Sequence, residues 1–131
     1  MKSLTLPVMF FCHIVDDYYL QGVLAEMKQR QWWEDNTPNK MYKNDYLIAL
    51  FEHGFSWSFM VLLPIFNTCI NINNFNQDSY ILYFGLLFSN TIIHAIIDDM
   101  KANMKCINLI VDQLLHFVQI IASWYIWYNC G

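Results

Sequence analysis

Three of the four histidines in this chain have an aspartate four residues away. Side chains at this spacing lie on one face of a helix, where an imidazole and a carboxylate can share a proton or bind one metal ion. The fourth histidine lies in another apolar segment. The sequence therefore predicts a polar site of seven ligand-type side chains, which are His13, Asp17, His53, His94, Asp98, Asp112 and His116.

These side chains lie in long apolar segments. Hydrophobic residues make up 56% of the chain and charged residues 14%, whereas soluble domains contain roughly 25% charged residues. Each segment has the length of about 20 residues that a helix needs to cross a hydrocarbon core of roughly 30 Å. We predict one all-α domain, 1–131, that is a polytopic membrane four-helix bundle with up-down antiparallel topology and spans at about 3–20, 46–70, 79–100 and 106–128.

The first connection, 22–45, is the only long one, and its tryptophans and basic residues are typical of a segment that lies at the headgroup boundary. A solvated loop is the alternative. Six of the seven basic residues fall in the first and third connections. By the positive-inside rule these two connections are expected on the cytoplasmic side of a bacterial inner membrane. The net charge of −4, without a basic cluster, argues against a nucleic-acid partner.

Helix register predicts that the seven side chains meet. In an up-down arrangement they lie in one layer, roughly 10 to 13 Å from one membrane face for most of them. One interpretation is a site for a divalent metal ion, Zn²⁺ by preference, although Mn²⁺ or Fe²⁺ also suit these ligands. The other interpretation is a network of hydrogen bonds that joins the helices. Three pairs at one depth favour the metal site.

Other polar residues adjoin this site. Asp16, Glu52 and Asp99 each lie about 100° away from a site residue on a helix, so we expect surface or neighbouring-helix contacts for them. Gln21 and Lys101 continue the predicted polar stripes. They either orient ligands or extend to the headgroups.

At these residues the chain resembles domain of unknown function 3307, a family of small phage and bacterial membrane proteins. The resemblance implies a multi-helix membrane protein that shares these histidine and aspartate positions, and it implies no established activity. Tyr18, where the family tends to have Phe, departs from the pattern. The matching pattern is His13-x-x-x-Asp17-x-x-Leu20-Gln21, Lys28, His53, His94-x-x-x-Asp98-x-x-Lys101 and Asp112-Gln113-x-x-His116.

Two functions fit the sequence. The first is a membrane-embedded, metal-dependent hydrolase that acts on a lipid-like or membrane-delivered ester or amide. Its first metal ligands are expected to be His13, His94 and His116, with His53 as a fourth ligand or a base. Some of the three aspartates are expected to bind the metal and the others to transfer protons, and these aspartates are Asp17, Asp98 and Asp112.

The second function is a non-enzymatic membrane accessory protein with a structural metal or a His/Asp hydrogen-bond network. Such a protein would bind a host membrane protein or form a homo-oligomer. A pore is disfavoured because the outer halves of the predicted spans are almost wholly apolar.

Overall fold

The computed structural model describes residues 2–37, 39–71 and 77–130. These residues form helices and connecting turns, and no strand occurs among them, so the all-α prediction is confirmed. The α-helices are α1 (Lys2–Val15), α2 (Leu24–Met27), α3 (Arg30–Asn36), α4 (Asp45–Asn71), α5 (Gln77–Ala102) and α6 (Leu109–Cys130). A π-helical turn, Asp16–Leu20, extends α1, and a 3₁₀ turn, Lys40–Tyr42, precedes α4.

Three stretches are long and apolar enough to cross a membrane: Lys40–Thr68, Gln77–Ala102 and Leu109–Cys130. They correspond to the last three predicted spans. The first predicted span is not among them. Its α-helical part has 14 residues, a length of about 21 Å at 1.5 Å per residue, and the π turn that follows carries two aspartates. The topology with four spans therefore stays a prediction.

The start of α6 differs from the predicted start at residue 106. Lys105 has a positive φ of 55°, so the chain still turns there. Asn108 then caps the helix, since its Oδ1 accepts a hydrogen bond from the Val111 backbone N–H at 3.0 Å. The apolar residues Cys106 and Ile107 belong to this turn rather than to the helix.

The long helices contact one another in pairs. The first helix packs against α4 and α6, α4 packs against α5, and α5 packs against α6. Large apolar side chains also point outward, including Phe88 and Ile110 at 65% and 71% exposure. An outward apolar surface of this kind suits lipid contact. The interior contains an apolar cluster of Met9, Trp57, Val61, Leu62, Ile65, Tyr83, Leu86, Leu87, Ile120 and Trp127.

One glycine allows α4 and α5 to approach closely. A Cβ atom added at Gly54 would lie 2.7 Å from the backbone carbonyl oxygen of Thr91, closer than real Cβ contacts. Only glycine fits this crossing without movement of a backbone. His53 precedes this glycine and His94 lies one turn beyond Thr91, so the crossing brings the two histidines together.

The first connection packs against the end of α5. The Asn103 side chain donates to the Lys28 carbonyl oxygen at 3.1 Å and accepts from the Arg30 backbone N–H at 2.7 Å. The Lys28 side chain is buried, which corrects the expectation that it belongs to a headgroup or solvated segment. An interfacial position for the rest of this connection stays a prediction.

Candidate metal centre

The π-helical turn presents two consecutive aspartates to the interior. The turn is closed by a bond from the Gln21 backbone N–H to the Asp16 carbonyl oxygen at 3.1 Å, and Gly22 ends it with a φ of +50°. Asp16 and Asp17 are both buried, at 0% and 8% exposure. The side-chain amide of Gln21 donates to the Asp17 carbonyl oxygen.

Asp16 contacts the neighbouring helix α4, which is one of the two positions expected for it, the other being the protein surface. Its Oδ1 accepts a hydrogen bond from Ser56 Oγ at 2.7 Å, and its Oδ2 lies 3.7 Å from His53 Nδ1. Asp16 therefore lies behind the His53 ring, outside the predicted site, at a distance longer than a hydrogen bond.

Three ligand-type atoms from three elements meet in the interior: Asp17 Oδ1 from the π turn, His53 Nε2 from α4 and His94 Nε2 from α5. The distances are 3.3 Å from Asp17 to His53, 3.2 Å between the histidines and 3.9 Å from Asp17 to His94. A zinc ion with N and O ligands at about 2.0 to 2.1 Å in a tetrahedron places those ligands about 3.3 Å apart. The three atoms thus have the spacing of a metal coordination shell.

Burial supports this interpretation. His53 and His94 are 1% and 0% exposed. Asp17 Oδ1 is buried and accepts no hydrogen bond from the described residues. A buried carboxylate oxygen without a donor is costly, and a cation at this position would satisfy it. We call Asp17, His53 and His94 the ligand triad.

Asp98 lies beside the two histidines of the ligand triad. Its Oδ2 is 3.5 Å from His53 Nε2 and 3.8 Å from His94 Nε2. The same oxygen accepts a hydrogen bond from the Lys28 ammonium at 2.5 Å. Asp98 is therefore adjacent to the triad but already has a cationic partner.

His116 lies between two carboxylates. Its Nε2 is 3.5 Å from Asp98 Oδ1 and 3.5 Å from Asp112 Oδ1, and its ring stacks on His94 with centroids 4.2 Å apart. Asp112 is also held by Lys101, whose ammonium donates to Oδ2 at 2.6 Å. His94, Asp98 and His116 form a second group with the spacing of metal ligands.

His13 stands outside both groups that can hold a metal. The Trp57 indole donates to its Nδ1 at 2.8 Å, and its Nε2 lies 3.1 Å from Gln113 Oε1. Because Nδ1 accepts the indole proton, this nitrogen has neither a proton for Asp17 nor a lone pair for an ion. Asp17 Oδ2 is nevertheless near, at 3.3 Å. Of the seven predicted residues, five belong to the two groups, and His13 and Asp112 adjoin them.

Two further residues at the site were not predicted. Trp57 stacks on His94 with centroids 4.3 Å apart, besides bonding His13. Its position four residues after His53 places it on the same helix face, which is a signal that the sequence contains. Lys28 reaches Asp98 from the first connection. In the sequence, only its place in the family pattern pointed to Lys28.

The charges at the site do not balance. The carboxylates of Asp16, Asp17, Asp98 and Asp112 are buried. Two ammonium groups contact them, so a charge of −2 remains when the imidazoles are neutral. Net buried charge is strongly unfavourable unless it is paired. One divalent cation would neutralise the cluster.

A surface cleft leads to these charged groups. It has a volume of about 380 Å³ and is lined by Gln21, Ala25, Lys28, Gln29, Lys101 and Ala102. Both lysines that contact site carboxylates line it. The cleft therefore adjoins the site on the outer surface of the protein.

The fold and the site together define an all-helical protein with three helices able to cross a membrane and with buried His/Asp groups that can hold a metal ion. Comparison of the chain with protein-family models, with curated proteins and with solved structures finds no match. The resemblance to domain of unknown function 3307 stays a prediction.

Proposed function

We propose that this protein is a membrane-embedded, metal-dependent hydrolase that acts on a lipid-like or membrane-delivered ester or amide. The observation that carries the proposal is the spacing of the ligand triad, whose three atoms lie 3.2 to 3.9 Å apart. Asp17, His53 and His94 would hold a divalent ion, Zn²⁺ first among the candidates, which would supply Lewis acidity and activate a water. Three protein ligands with an open fourth position are typical of catalytic rather than structural zinc.

Asp98 is our candidate for the general base. Its Oδ2 lies 3.5 Å from His53 Nε2 and 3.8 Å from His94 Nε2, so a water held between the two histidines would be within reach of this carboxylate. In the proposed reaction Asp98 takes a proton from the water that adds to the substrate carbonyl carbon. The carbon–oxygen or carbon–nitrogen bond to the leaving group then breaks, and the leaving group receives that proton.

His116 and Asp112 support this base. His116 Nε2 lies 3.5 Å from both Asp98 Oδ1 and Asp112 Oδ1 and can hold a proton between the two carboxylates. Asp112 is fixed by Lys101 and by the Gln113 amide, which donates to Oδ2 at 3.0 Å. We assign His116 and Asp112 to positioning and proton transfer, and His13 to the orientation of Trp57.

The proposal includes a topology. Four spans, α1 among them, form an up-down bundle in a bacterial inner membrane, with the first and third connections on the cytoplasmic side. The cleft then opens at the cytoplasmic headgroup level, since Lys101 and Ala102 end α5. A substrate embedded in the inner leaflet would present its polar group there.

A structural role is the second candidate. Hydrogen bonds join α5 to α6 elsewhere in the interior, for example from Asn90 Nδ2 to Ser123 Oγ at 2.8 Å and from Gln119 Nε2 to the Asn90 carbonyl oxygen at 2.8 Å. The chain thus already uses polar groups to hold helices together. In this alternative the His/Asp cluster, with or without a metal, holds together α1, α4, α5 and α6.

Metal content tests the site first. Elemental analysis of detergent-purified protein should find about one divalent transition-metal ion per chain, and a His94→Ala, Asp98→Ala double variant should lose it. Ser89→Ala on the exposed face of α5 is the matched control, because Ser89 bonds only backbone carbonyl oxygens of its own helix. If wild-type protein is purified without a chelator, is folded and contains no metal, the metal site is refuted.

The same preparations separate the two functions. Asp98→Asn should retain metal but lose turnover of labelled bilayer lipids, whereas Asp17→Asn should lose metal because Asp17 belongs to the ligand triad. If every variant that retains metal also retains full turnover or phenotype, the metal is structural and the hydrolase proposal fails.

A further inference from the structure

Lys28 and Lys101 have more hydrogen-bond donors than acceptors. An ammonium group has three N–H donors. Among the described residues, Lys28 Nζ donates only to Asp98 and Lys101 Nζ donates only to Asp112. Two donors therefore remain on each lysine.

These remaining donors belong to side chains that line one cleft. Lys28 enters the cleft from the first connection and Lys101 from the last turn of α5. Their side chains are 9% and 29% exposed, so water reaches Lys28 little. Gln21 and Gln29 supply further polar groups along the same wall. A buried cation with unused donors is costly unless a further acceptor is present.

The charge of the site decides when an anion can enter. When the four carboxylates are ionised and the imidazoles are neutral, the cluster has a charge of −2 and repels an anion. A divalent cation in the ligand triad would remove that charge. The ammonium groups would then bind an anion in the cleft through the donors that Asp98 and Asp112 leave unused.

We infer that this cleft is a binding site for a phosphate group, and that it fills only when the ligand triad holds a metal ion. The inference rests on the proposed metal site and names the substrate class, which is a phosphate-bearing lipid or lipid-like molecule. Phosphate is the anion at the headgroup level of a bilayer, where the end of α5 is expected to lie. Lysine binds it as a point charge through several oxygens. The volume of about 380 Å³ accommodates a phosphate with its attached polar group.

The experiment measures metal and phosphate binding separately on the full chain in detergent. Cobalt absorption reports the metal site, and calorimetric titration with inorganic phosphate reports the cleft. Lys28→Gln and Lys101→Gln should each weaken phosphate binding about tenfold or more while the cobalt spectrum persists. Lys105→Gln removes the same charge from an exposed side chain that does not line the cleft, and it should change phosphate binding less than twofold.

A second arm distinguishes a lipid from free phosphate. Wild-type protein is reconstituted in nanodiscs of phosphatidylcholine with or without phosphatidylglycerol, and the metal-loaded form is titrated with inorganic phosphate. Competition by phosphatidylglycerol assigns the cleft to a lipid headgroup. Undiminished binding in its presence assigns it to a free phosphate.

The outcomes are distinct. If metal-loaded wild type does not bind phosphate, or if both glutamine variants bind it as wild type does, the inference fails while the metal site stands. Equal phosphate binding before and after metal removal also refutes the stated dependence on the ion. If the wild type binds no metal, the proposed function fails, and lysine-dependent phosphate binding would still identify the cleft as an anion site.

Discussion

Replacing Gly54 by alanine tests whether the close approach of α4 and α5 builds the ligand triad. The added Cβ would lie 2.7 Å from the Thr91 carbonyl oxygen, and ordinary contact begins at 3.4 Å. The helices must therefore separate by about 0.7 Å, because the neighbour is backbone and cannot rotate away. Overpacking of this kind costs about 1 to 3 kcal/mol.

The same movement acts on the site. His53 and His94 flank the crossing, and their Nε2 atoms are 3.2 Å apart. A separation of about 0.7 Å exceeds the tolerance of roughly 0.2 Å in metal–ligand distances. We expect Gly54→Ala to weaken metal binding at least about tenfold, which corresponds to about 1.4 kcal/mol.

The assay is a competition titration of the purified protein with a chelator of known affinity, together with thermal unfolding. Gly85→Ala is the matched control, since a Cβ there meets no atom within 4 Å and the residue also lies in a long helix. This control should keep its metal affinity and unfold at the same or a higher temperature. Metal affinity of Gly54→Ala within twofold of wild type would show that the triad does not depend on this crossing.

Two further predictions concern the tryptophan beside the site and the topology. Trp57→Phe removes the indole that donates to His13 Nδ1 and should destabilise the fold by about 1 to 3 kcal/mol in thermal denaturation. The control is Trp124→Phe, which should cost less because the buried Trp124 indole nitrogen has no hydrogen-bond partner among the described residues. Equal costs for the two variants would contradict a role for the Trp57–His13 bond. For the topology, a cysteine at Thr37 in a cysteine-free background should be labelled only from the cytoplasmic side. A cysteine at Asn74, which lies outside the described residues, should be labelled only from the other side, and the reverse pattern would invert the assignment.

The sequence by itself determined the class of fold and most of the site's members. The length of the apolar segments predicts α4, α5 and α6, because a helix must be this long to cross a hydrocarbon core. The i, i+4 spacing placed His94 with Asp98, and Asp112 with His116, on shared helix faces, and each pair lies together in the structure. Such relations are local, so one helix and its period suffice to predict them.

Only the tertiary structure decided which of these residues can bind a metal together. The pairs within helices are not the ligand sets: the triad joins Asp17, His53 and His94 from three elements, whose register depends on packing between helices. His13 is four residues from Asp17, the same spacing as in the other pairs. Its Nδ1 nevertheless accepts a hydrogen bond from the Trp57 indole. Contacts between distant segments carry no period in the sequence, so spacing alone does not reveal them.

Local backbone geometry and the first connection also became apparent only in three dimensions. Asp16 and Asp17 are both buried in the π-helical turn because different parts of the fold cover them, with Ser56 bonding Asp16. Lys28 lies 70 residues from Asp98 and reaches it because Asn103 holds the first connection against the end of α5. The sequence supplied the ligand types through helical periodicity. The choice among them, and the lysines that pair with Asp98 and Asp112, depend on packing between segments.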